Sequence, residues 1–120
     1  MATYTKRKLS GSTDGLAVKV AGNSTSNATT VHTAYTTVTT AGLCDEVWLY
    51  ANNTSVANVK LTIEWGTATA ADGNIEMTII AEAGLLLVIP GLILQNAKVV
   101  KAFAATADVI LLTGYVNQIS

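Results

Sequence analysis

Few side chains in this sequence have the types and spacing that chemistry requires. Asp45, Glu46, Glu64, Asp72, Glu76, Glu82 and Asp108 are spread through predicted strands and turns. Two carboxylates that meet in space act as acid and base in glycoside hydrolysis, but at these spacings each reads as a solvated edge or turn residue. One histidine, His32, and one cysteine, Cys44, cannot assemble a zinc site. There is no serine nucleophile elbow, no glycine-rich phosphate loop, no HExxH and no cysteine pair. The expectation is a protein that is not an enzyme, with no catalytic, cofactor-binding or metal residues. His32, among threonines, reads as a surface or internally satisfied side chain. Cys44 reads as a small buried hydrophobe. Two groups of residues suit binding instead. Trp48, Trp65, Tyr50 and Tyr115 could form a platform on which sugar rings stack. Tyr4, Lys6, Arg7 and Lys8 form a basic cluster near the N-terminus.

The elements that must position these groups centre on DEVWLYANNTSVANVKLTIEWG, residues 45–66. Val59, Leu61, Ile63 and Trp65 alternate with Lys60, Thr62 and Glu64, which is the two-residue period of a half-buried strand. In the preceding segment Val47, Leu49 and Ala51 make one apolar face. Trp48 and Tyr50 make the opposite face aromatic. ANNTSVA between them is turn material. The pattern predicts a long antiparallel hairpin whose aliphatic faces enter one core. Burying each large apolar side chain contributes roughly 1.5–3 kcal/mol before ordering entropy. Trp48 and Tyr50 then need cover on the back of the sheet.

The remaining chain repeats the theme. GSTDG is a turn, and Leu16, Val18 and Val20 alternate with Ala17 and Lys19. AGNSTSNATT is a polar loop, and ATTVHTAYTTV resumes in β-branched residues. Ile75, Met77 and Ile79 alternate with Glu76 and Thr78. Leu85 to Ile89 is an apolar run that Pro90 is expected to end, with Leu92 to Leu94 as a separate piece. Strands follow at 99–104 and 109–116. The count is about eight or nine short strands without helical periodicity. This predicts an all-β, antiparallel β-sandwich or barrel, with a jelly roll as one topology. The expected organisation is a contact arm at residues 1–10 and a single sandwich domain at 11–120.

Composition sets the partners. Half the residues are hydrophobic and only 12% are charged, against about 25% in ordinary soluble domains. Net charge is −1, so no global field attracts nucleic acid. The N-terminus lacks the apolar run of a secretory signal, and AGLLLVIPGLIL is too short for a membrane span. The expectation is synthesis in a cytoplasm, with no nucleic-acid or membrane partner.

KRKLSGSTDG, DEVWLYANN followed by VKLTIEWG, GLLLVIPGLIL, VVKAFAATADVI and TGYVNQI together resemble a small head protein of tailed bacteriophages, over nearly the whole chain. The resemblance implies a decoration (cement) protein that binds the major capsid protein on the outer surface of the virion, commonly as a trimer at lattice three-fold positions. The loop AGNSTSNATT does not match the pattern. A tail, neck or fibre component and a carbohydrate-binding sandwich module are the alternatives.

Unabsorbed apolar surface independently predicts a homo-oligomer. Its candidate interface residues are Trp48, Tyr50, Ile110 and Leu112. The competing reading folds loops 21–30 or 66–74 over these positions within one chain. Tyr4, Lys6, Arg7 and Lys8 are the expected capsid-contact arm.

Overall fold

Period-two alternation makes about half of this chain into strands, and the computed structural model, which describes residues 2–120, places them in two sheets. The strands are β1 (Tyr4–Lys8), β2 (Val18–Lys19), β3 (Thr29–Thr33), β4 (Cys44–Asn53), β5 (Val59–Trp65), β6 (Asn74–Ile79), β7 (Leu86–Leu94), β8 (Val99–Ala104) and β9 (Ile110–Ile119). One sheet has the order β1-β9-β4-β7, with β2 also paired to β9, and the other has the order β3-β8-β5-β6. Every pairing is antiparallel. The only helical piece among the described residues is a 3-10 turn at Thr25–Asn27.

The topology follows from one rule. β1 and β2 occupy successive stretches of β9, at 115–119 and 111–112, and act as one interrupted edge strand. Counted so, the first strand pairs with the eighth, the second with the seventh, the third with the sixth and the fourth with the fifth. A long hairpin folded over itself gives this order, which is that of a jelly roll.

The core lies between the sheets. Val47, Leu49, Ala51, Leu61, Ile63, Ile89, Val100, Ala102, Ile110, Leu112 and Val116 have no measurable exposure there. The expected hairpin at 45–66 is not a pair. β4 belongs to the five-stranded sheet and β5 to the four-stranded one, so their aliphatic faces meet across the sandwich. Asn53 holds the crossing. Its amide donates to the carbonyls of Ala57 at 2.8 Å and Ile79 at 2.9 Å, and its Oδ1 accepts from the Ser55 amide at 2.9 Å.

Two further expectations are corrected. Pro90 does not end a strand, because β7 runs through it to Leu94. Among the described residues β7 pairs only with β4, so its outer edge tolerates a residue without an N–H. The register shifts near Pro90, and Gly91 takes φ +77°, which absorbs the irregularity. Residues 1–10 are not a separate arm either. Residue 1 lies outside the described residues, and β1 is built into the sheet edge with Tyr4 opposite Ile119 and Lys8 opposite Tyr115.

Candidate interaction surface

The alternation of β4 sends Trp48 and Tyr50 to the outer face of the five-stranded sheet, both half-buried. Trp48 is the centre of a built arrangement. Its ring lies nearly parallel to that of Tyr115, its cross-strand partner, with centroids 6.3 Å apart. Its indole N–H donates to Glu46 Oε1 at 2.8 Å, and Asn117 Nδ2 donates to the same oxygen at 3.1 Å. These two hydrogen bonds, the indole first, hold the Glu46 carboxyl below its ordinary range, with a smaller opposing effect of burial. On β7, Gly91 leaves room for the indole: a Cβ there would sit 2.8 Å from Trp48 Cζ2. Leu87 and Ile93, opposite Tyr50 and Glu46, extend the apolar surface to the sheet edge and are largely exposed.

The basic cluster joins this face only in part. Lys6 Nζ lies 4.9 Å from the Tyr115 ring centroid, a cation–π contact that extends the Trp48–Tyr115 pair. Tyr4 is 71% exposed beside it. Arg7 lies over the Tyr35 ring, 3.8 Å from its centroid, and donates to Gln118 Oε1 at 2.9 Å. Lys8 donates to the Ser12 carbonyl at 2.8 Å. Arg7 and Lys8 therefore brace the sheet edge within the chain.

Of the four expected interface residues, Trp48 and Tyr50 lie on this face. Ile110 and Leu112 do not, and that assignment is corrected: both are fully buried between the sheets. Their alternation was legible, but the sequence did not say which face of β9 turns inward. Leu111, Thr113, Tyr115 and Asn117 are the residues of β9 that share the outer face with Trp48 and Tyr50. The loops expected to cover this face within one chain lie elsewhere. The 3-10 turn reaches Glu64 on the other sheet, and residues 66–74 close the β5–β6 connection with the Gly73 carbonyl accepting from the Trp65 amide.

A second polar group is buried beneath the sheet end. Asp45 and His32 are both fully buried, with His32 Nε2 2.7 Å from Asp45 Oδ2. The Ser10 amide donates to His32 Nδ1 at 3.0 Å, so the ring proton resides on Nε2 and is donated to the carboxylate. Asp45 also accepts from the amides of Tyr35 and Thr36 and from the Thr36 hydroxyl. Burial is the largest influence on His32 and pushes its pKa below 6.5, against the Asp45 hydrogen bond and charge. Both ring nitrogens are engaged, so neither can activate a nucleophile. The expectation of a satisfied histidine fits this geometry. Asp45 was expected at a solvated edge, and that is corrected. Extending the inward series Val47, Leu49, Ala51 back by one step would have found it. Cys44 beside it is buried, and burial raises its thiol pKa.

Comparison with protein-family models, with curated proteins and with solved structures finds no significant match to this chain.

Proposed function

We propose that this chain is a structural protein of a tailed-bacteriophage virion, made in the host cytoplasm, that docks on the outer capsid surface and braces the shell. The resemblance supplies the class and the major capsid protein as partner. The observation that supports it is the outer face of the five-stranded sheet, where Trp48, Tyr50, Tyr115, Leu87 and Ile93 form an apolar surface on the side away from the core. Four strand rows about 4.8 Å apart and about ten residues long present a face on the order of 600 Å². That is comparable to the roughly 800 Å² each partner gives to a stable interface. The occupants of this reading are the capsid and further copies of the chain, as a trimer by the resemblance.

The test is occupancy of capsids that lack this chain by the purified chain, read by titration, with sedimentation at micromolar concentration for self-association. Trp48→Ala is expected to lower occupancy at least about tenfold, since central aromatic residues dominate interfaces. Unchanged occupancy, or binding through the opposite sheet, would overturn the reading. A second reading, a carbohydrate-binding module, is favoured by the near-parallel Trp48–Tyr115 pair with the polar groups of Glu46 and Asn117 beside it. Trp48→Ala that loses glycan retention while keeping capsid occupancy would select that reading.

A further inference from the structure

An edge strand leaves a row of backbone groups without sheet partners, and that row is a template for another chain. Among the described residues the edges are β1 with β2 and β7 in one sheet, and β3 and β6 in the other. Most of them carry an obstacle to pairing in their own residues. β1 holds Lys6, Arg7 and Lys8, and β2 is two residues long. β3 is five residues long and has a register irregularity between Thr30 and His32. β6 carries the charge of Glu76. Charge, shortness and irregularity each blunt an edge.

β7 lacks the first two. It is nine residues long, and no charged residue lies between Glu82 and Lys98. Leu87, Leu92 and Ile93 on it are exposed. Segments that pair with copies of themselves are runs of about six or seven residues of high β-propensity, without charge or proline. Leu85 to Ile89 supplies five such residues and Leu92 to Leu94 three. Pro90, the only proline of the chain, stands between them with Gly91.

The position of Pro90 matters as much as its type. It is the fifth residue of the nine, and it is exposed. Two identical strands paired antiparallel are related by a two-fold axis, which closes as a dimer and not as a fibre. With the axis at the strand centre, Leu86 of one copy lies opposite Leu94 of the other, and the two prolines meet. Proline has no N–H to give a ladder, and its ring fixes φ near about −65°. Gly91 beside it, at φ +77°, falls outside the register with β4, where Val47 is opposite Leu92 and Trp48 opposite Pro90.

We propose that Pro90 is the block that keeps the free edge of β7 from pairing with β7 of a second copy of this chain. The proposal concerns the sheet edge and does not rest on docking of the outer face.

The experiment compares the native full chain with Pro90→Thr, which restores an N–H in a residue that favours strands. Pro90→Ala, which restores the N–H with a smaller side chain, is made alongside it. Sedimentation from about 10 µM to about 1 mM reads the mass, and amide exchange reads which strand is newly protected. In at least one of the two variants the sedimenting mass is expected to double relative to the native chain. Exchange of the β7 amides is expected to slow in the same variant, while β4 and β9 stay as protected as in the native chain. Adding Ile93→Lys, an exposed change that puts a charge on the edge, is expected to return the mass to that of Ile93→Lys alone. Unchanged mass in both variants would mean that the irregularities of β7 suffice without Pro90, and would overturn the proposal. So would a doubled mass without slower β7 exchange, association accompanied by lost protection of β4 and β9, or doubling that survives Ile93→Lys. A native chain that already shows the β7-paired dimer would overturn it as well.

Discussion

Asp45 and Glu64 are equally buried, one in each sheet, and their surroundings differ in kind. Asp45 receives the His32 ring proton, two amides and a hydroxyl, so both its oxygens are occupied. Glu64 receives one hydroxyl on one oxygen and nothing on the other among the described residues. Desolvating a carboxylate is costly in both places. The Asp45 site offsets that cost within the chain, by gathering the turn after β3 and the end of β1 onto β4. The Glu64 site leaves part of it unmet, since Oε1 has no partner among the described residues. A fully bonded buried acid is a fastener. A half-bonded one fastens less, and the two are separable by substitution.

The largest effect is expected at the fastener. Asp45→Ala strands the His32 proton and the amides of Tyr35 and Thr36 inside the protein. Breaking a buried pair by removing one partner costs about 3–5 kcal/mol. The melting temperature of Asp45→Ala should therefore fall by on the order of 10 °C or more. A fall of only a degree or two would mean that the network is not holding the turn.

A smaller effect follows from protonating the other half of the pair. The folded-state pKa of His32 is lowered below 6.5, first by burial and further by the charges of Arg7 and Lys8, with Asp45 opposing. A depressed pKa means that the folded state binds the proton less well than the unfolded chain. The contribution to stability is therefore fully present above pH about 6.5 and is lost as pH falls toward the folded-state value. Denaturant midpoints measured from pH 7.5 down to about 5, above the ordinary carboxylate range, should decline in the native chain. The decline should flatten in His32→Gln. Identical slopes in the two proteins would remove the histidine from the account.

These two sites also mark how far the sequence could be read. Alternation told which side chains share a face, so Trp48 and Tyr50 were placed opposite Val47 and Leu49, as they are. It could not tell a neighbour from an opposite. Two strands with aliphatic faces toward one core satisfy the pattern side by side or across a sandwich, and β4 and β5 take the second arrangement. The same ambiguity misplaced Ile110 and Leu112, whose face was known but not its direction. Asp45 was within reach, because parity alone puts it on the inward side while Glu46, its chemical twin, turns outward to Trp48. Glu64 was not. Parity puts it outward, and it is buried only because a loop some forty residues away in sequence folds over it through Thr25. No local pattern encodes that contact.

The smallest expected effect is therefore at Glu64. Glu64→Gln keeps an oxygen for the Thr25 hydroxyl and removes a charge from a site where one oxygen has no partner. The lost charge-assisted hydrogen bond and the lost desolvation cost oppose each other, and neutral replacements of buried charges are often without penalty. The stability of Glu64→Gln should stay within about 1 kcal/mol of the native chain in denaturant unfolding. A destabilisation as large as that of Asp45→Ala would mean that Lys101, directly across the ladder, engages Glu64 in solution. The two acids would then be fasteners alike, and the contrast between them would be gone.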